Sequence, residues 1–178
     1  MGPITYSLCQ KQGIGLVMWL TFMCSFPPLI ENEPFSLKDI NQPISIAFES
    51  PVEKSYELSI DFAFPTTDDR VQDKFIGSRY CQNNTIPKNI SESQKINFGK
   101  PINLKISVQN KENDLTVFDK IIKSFCTTSH RRNIKTRTIT YIPLSEGDYI
   151  INIELLDKIV GLNDVNASIR LHAGRWLK

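Results

Sequence analysis

Chemistry in this chain of 178 residues has few groups to draw on: two histidines, His130 and His172, and four cysteines, Cys9, Cys24, Cys81 and Cys126. A histidine-rich zinc site is ruled out by that count, and none of the cysteines falls in a Cys-x-x-Cys spacing. Cys126 and His130 stand four residues apart, which could set a thiol beside its base. Their flanks, Thr127, Thr128, Ser129, Arg131 and Arg132, read as an exposed loop without a third group to orient the imidazole. Asp68, Asp69 and Asp73 lack the alternating oxygen ligands of a calcium loop and read as helix-start and solvent charges. No nucleophile elbow, phosphate loop or dinucleotide fingerprint occurs. The expectation is a chain with no catalytic, metal or cofactor-binding residues. An enzyme reading would need a hydrolase site around Cys126, His130 and a helix over 66–76.

Binding chemistry is better represented. His130, Arg131 and Arg132, followed by Lys135 and Arg137, form the densest basic cluster. Arginine forks grip carboxylates and phosphates bidentately, so the cluster suits an acidic protein or a lipid headgroup, although a hairpin tip also collects solvated cations. The stretch 78–100 is rich in Asn, Ser and Lys and longer than a compact domain carries without purpose. It is the expected partner-facing loop, with Asn83, Asn84 and Lys88 as candidate contacts. Nucleic acid is not indicated: 21 basic against 19 acidic residues leave a formal charge of only +2.

These residues need elements to position them. Tyr56, Leu58, Ile60, Phe62 and Phe64 alternate with smaller or polar residues, placing five large apolar groups on one face of a strand. The same period recurs at Ile102, Leu104, Ile106 and Val108 and at Tyr149, Ile151, Ile153 and Leu155. Further strands are expected at about 43–49, 115–123, 134–142 and 165–172. About seven strands without a long helical period predict an all-β, immunoglobulin-like or fibronectin-III-like antiparallel sandwich. One short helix is predicted from Asp68 to Ile76, capped by Thr66 or Thr67, pairing Val71 with Phe75 and lying over one end of the sandwich.

Between two of the strands, Pro143, Gly147 and Tyr149 carry the spacing of a tyrosine corner: Pro143 stops one strand, Gly147 permits a positive φ, and the Tyr149 hydroxyl returns to an upstream carbonyl. An ordinary hairpin turn with a core tyrosine is the other reading.

The amino terminus supplies an address. No charge interrupts residues 12–30, and 13–26 are nearly all apolar until Pro27 and Pro28 end any helix. Lys11 precedes the run while Glu31 and Glu33 follow it, so the bulk of the chain is expected outside the cytoplasm. Residues 1–30 are read as a signal or membrane anchor, 31–42 as a linker and 43–175 as the sandwich, on the periplasmic or outer face of the membrane. Phe22, Met23 and Cys24 make a poor cleavage site, which favours a retained anchor over lipidation at Cys24. In an oxidising compartment Cys81 and Cys126 are a disulfide candidate that would pin the long insertion, the alternative being two separate thiols.

Tyr56 to Phe64, Asp69 to Val71, Pro101 to Val108, Phe118 to Ile121 and Tyr141 to Tyr149 together resemble a bacterial family of unknown function, DUF5625, over roughly residues 43–175. The resemblance implies an envelope-directed β-sandwich and brings no established activity or catalytic residue. The expected function is therefore non-catalytic protein binding in the cell envelope, of an immunity type that shields the cell from an envelope-acting toxin, or else envelope assembly or ligand binding.

Overall fold

The computed structural model describes residues 27–78, 80, 90–91, 95–162 and 164–173. Nine strands lie among them: β1 (Ile30–Phe35), β2 (Ile44–Ser50), β3 (Lys54–Ala63), β4 (Ile102–Asn110), β5 (Thr116–Ser124), β6 (Ser129–Arg131), β7 (Ile134–Leu144), β8 (Gly147–Leu155) and β9 (Asn166–Ala173). One short helix, α1 (Thr67–Gln72), follows β3, and a 3-10 turn spans Ile96–Phe98. The strands form two antiparallel sheets, one ordered β1-β9-β3-β7-β6 and the other β2-β8-β4-β5. This is the all-β sandwich that the alternating strands predict.

Alternation builds the core directly, because every second side chain of a strand points to the same face. Leu58, Ile60 and Phe62 of β3 meet Leu104, Ile106 and Val108 of β4, Ile151 and Ile153 of β8, and Ile169 and Leu171 of β9, all fully buried. Seven strands fall where their patterns place them. The other two have no such pattern. β1 begins at Ile30, the last residue of the expected anchor, runs into the expected linker and buries only its end residues, Ile30 and Phe35, while Glu31, Asn32, Glu33 and Pro34 stay exposed along the sheet edge. β6 is three exposed residues long, too short for a period to register.

The helix is shorter than predicted. Thr66 caps it by accepting from the Asp69 N–H at 3.1 Å, and the Asp69 carboxylate accepts from the Thr66 N–H at 3.2 Å, a reciprocal box. It stops at Gln72 because Asp73 turns extended and its carboxylate accepts from the N–H groups of Phe75 and Ile76 instead. Phe75 thus lies beyond the helix and Val71 is 63% exposed, so their expected apolar pairing is not made within it.

The two ends of the sandwich differ. At one, which we call the turn end, short links 51–53, 111–115 and 145–146 join the strands. At the other, the loop end, lie α1, residues 73–78 and 95–101 at the two ends of the long excursion, the β6–β7 turn and residues 156–162. The turn end holds the tyrosine corner: Tyr149 is buried and its hydroxyl donates to the Ser145 carbonyl at 3.3 Å, with Gly147 at φ +146°. Pro143 does not stop β7, which runs on to Leu144 with Pro143 paired to Ser55. There β7 has β3 on one flank only, since β6 pairs no further than Thr136, and an edge tolerates a residue without an N–H.

Candidate partner-binding end

The basic cluster divides into two groups with opposite environments. The β6–β7 hairpin turns on Arg132 and Asn133, and Asn133 fastens the turn by donating to the Phe64 carbonyl at 2.5 Å while its own carbonyl accepts from the Phe64 N–H at 2.9 Å. His130, Arg131 and Arg132 project from this tip, all exposed, and Arg132 holds a left-handed φ of +51°. Neither Arg131 nor Arg132 makes an ion pair among the described residues. The Tyr80 hydroxyl meets His130 Nδ1 at 2.5 Å, and the two rings stack with centroids 5.9 Å apart.

Lys135 and Arg137 are not part of that surface. They alternate inward along β7, opposite Phe62 and Ile60, and are 2% and 0% exposed. Their assignment as partner contacts is therefore corrected: both cations plug the loop end of the core. Lys135 Nζ donates to the Asp73 carboxylate at 2.8 Å and to the Asp73 carbonyl at 3.0 Å. Asp73 is thus a buried counter-ion and not a solvent charge, because Lys135 and two main-chain N–H groups replace its water.

Arg137 spreads its guanidinium over four carbonyls. One terminal nitrogen donates to Lys100 O at 2.9 Å and Ser124 O at 3.3 Å, the other to Ile76 O at 2.7 Å and Phe75 O at 3.3 Å. Burial pushes its pKa down to about 10, against the opposing pull of the Asp73 charge. It remains a cation at neutral pH. Its bonds tie β5 to both ends of the excursion between residues 76 and 100. That base is also zipped by Ser78 N–H to Asn97 O at 2.9 Å and Lys100 N–H to Phe75 O at 2.7 Å. Gly77 and Gly99 permit this approach: a Cβ on Gly77 would sit 2.6 Å from the Gly99 nitrogen.

A family model described as a domain of unknown function, DUF5625, matches residues 32–173. The chain belongs to this family. Among solved structures, the DUF5625 chain is similar to a crystal structure of a Sulfurospirillum deleyianum protein, at 18% identity and a TM-score of 0.58, covering 85% of this chain and 99% of that one. At this identity the likeness carries the fold alone. No curated protein matches the chain.

The remaining candidates of this DUF5625 chain separate in the same way. Cys126 is fully buried, and no cysteine among the described residues is free. Cys126 is buried while His130, four residues on, is exposed with its Nδ1 engaged by the Tyr80 hydroxyl. Cys81, Asn83, Asn84 and Lys88 lie outside the described residues, as does the apolar run 13–26. Among the described residues no helix is long and apolar enough to cross a membrane, and no cluster of His, Cys, Asp or Glu could hold a metal ion. Two shallow clefts open at the loop end, one of about 330 Å³ beside Asp69, Gln72 and Asp164 and one of about 440 Å³ beside Lys74, Phe75 and Lys100, with Asp73 and Gly161 bordering both. Three contributors were not singled out by sequence. Tyr80 and the counter-ion role of Asp73 carry no local signature, whereas Tyr56 repeats the logic of Tyr149, its hydroxyl donating to Val52 O at 3.0 Å.

Proposed function

We propose that this chain is a membrane-tethered envelope protein that works by binding a protein partner through its loop end and carries out no reaction of its own. The supporting observation is the polarity of the sandwich. Going backward along β1, from Phe35 opposite Ala167 to Ile30 opposite Leu171, the chain heads toward the turn end, and only residues 27–29 separate β1 from the apolar run 13–26. The β6–β7 tip lies at the other end of β3, whose ten residues extend roughly 30 Å at about 3.3 Å each. A domain tethered by its turn end presents its loop end away from the bilayer, which supports a protein partner for Arg131 and Arg132 over headgroups of the anchoring membrane. A disulfide at Cys126 accords with an oxidising compartment, and Cys81 is the partner we assign to it.

In biological terms we favour an immunity-type role, because a tethered inhibitor stays at high local concentration on the surface under attack. The experiment is fractionation of cells expressing the full chain, with mass spectrometry of its mature amino terminus. Retention in carbonate-washed membranes, with residues beyond 31 accessible to external protease after outer-membrane permeabilisation, is the expected result. Recovery as a soluble cytoplasmic protein overturns the reading.

A further inference from the structure

We infer that the β6–β7 tip is a docking site for an acidic protein segment, gripped by Arg131 and Arg132 beside the stacked Tyr80–His130 pair. The inference rests on the loop end being the partner-facing end and names the chemistry of that partner.

Three observations carry it. Arg131 and Arg132 are adjacent, exposed and without an ion pair among the described residues, whereas Lys135 and Arg137 of the same sequence cluster are consumed inside the fold. The tip is also held firmly: Asn133 is bonded both ways to Phe64, and the His130 ring is fixed by Tyr80, so little backbone freedom is left to lose on binding. Finally, Arg132 occupies a left-handed φ of +51°, a conformation in which Gly or Asn is less strained. An arginine kept there presents a charged fork at the apex of the hairpin despite the backbone cost. Arg forks bind carboxylates bidentately, and the half-exposed Tyr80 ring adds an amphipathic contact surface of the kind enriched in interfaces.

The probe is a fluorescein-labelled peptide of alternating Glu and Ser, titrated against the full chain in neutral detergent at low salt. Binding should fall with ionic strength and weaken at least tenfold in Arg131→Glu with Arg132→Glu. The equally charged control Lys105→Glu with Lys111→Glu, placed on the other sheet and at the turn end, should stay within about twofold. Arg132→Gly gives a second, fold-safe reading: it relieves the backbone, so the thermal midpoint should rise while peptide affinity falls severalfold. Equal losses in the tip and control variants, or unchanged affinity in Arg132→Gly, overturn the inference. So does binding of phosphatidylglycerol vesicles through the tip without binding of the peptide, which would assign the site to lipid. Failure of membrane retention with intact peptide binding would instead remove the tethered reading and leave the acidic-segment site standing.

Discussion

Tyr56 and Tyr149 hold equivalent posts on two neighbouring strand crossings: each hydroxyl donates to the carbonyl four residues upstream, Val52 O at 3.0 Å and Ser145 O at 3.3 Å. Both crossings pass from one sheet to the other. The link from β2 to β3 runs beside the link from β7 to β8, because β2 pairs with β8 and β3 with β7. The Tyr149 ring also stacks on Phe48 of β2, with centroids 5.8 Å apart, which couples the crossings laterally. The turn end is in this way closed by short links and two anchored phenols, leaving the opposite end to carry the long loops.

Removing one of these hydroxyls removes its bond to the upstream carbonyl. Tyr149→Phe and Tyr56→Phe should each cost about 1 kcal/mol in urea unfolding. Gly147→Val should cost more, about 2 kcal/mol, through its φ of +146° and not through crowding, since a Cβ there meets nothing closer than 3.6 Å. Near-zero effects at all three positions would mean that the anchored crossings contribute nothing.

Arg137→Ala removes the guanidinium that reaches four carbonyls, one in β5 and three at the two ends of the excursion, and leaves a cavity. A loss of roughly 3–5 kcal/mol is expected. The sign of any pH dependence follows from the lowered pKa. Below about 10 both folded and unfolded chains keep the proton, so this group adds no slope to stability. Above it the folded chain releases the proton first, and the group's contribution rises with pH until the unfolded guanidinium also titrates. The difference between wild type and variant should therefore be flat from pH 6 to 9, and a steep slope there would contradict a charged Arg137.

At the base of the excursion the sign of a substitution is set by backbone contact. Gly99→Ala would place a Cβ 2.4 Å from the Ile76 carbonyl oxygen at a φ of +78°, and Gly77→Ala is similarly blocked. Each should lower stability by roughly 2–3 kcal/mol and raise hydrogen exchange at Ser78 and Lys100, whose N–H groups close that base. Protection unchanged at those two amides would show that the close approach of Gly77 and Gly99 does not hold the base closed.

Peptide mapping without reduction should recover Cys126 linked to Cys81. Reduction should then lower stability by about 2–4 kcal/mol in the range usual for a native disulfide. A link from Cys126 to Cys9 or Cys24 would contradict the pairing we assign.

How far this fold was legible depended on whether each residue's environment was set locally. Period-two alternation places Leu58, Ile60 and Phe62 inward whatever surrounds them, so the long strands and the sandwich class could be read from sequence. The tyrosine corner was legible for the same reason, since Gly147 and Tyr149 act within a few residues. Lys135 and Arg137 were not, because, Ser124 apart, their partners Asp73, Phe75, Ile76 and Lys100 lie at least 37 residues away and only the folded chain turns the two cations inward. A run of basic residues reads as one patch in sequence, while β7 splits it into an exposed tip and a buried plug. β1 and β6 escaped because edge strands with one covered flank need little apolar content.

Photo-crosslinking in living cells, with a photoreactive residue at position 132 on the loop end or at position 146 on the turn end, tests the central claim most directly. The tethered, outward-facing arrangement predicts a discrete protein adduct from position 132, lost when Arg131 is changed to Glu, and lipid adducts from position 146. Lipid adducts from position 132 with protein adducts confined to position 146 would contradict it.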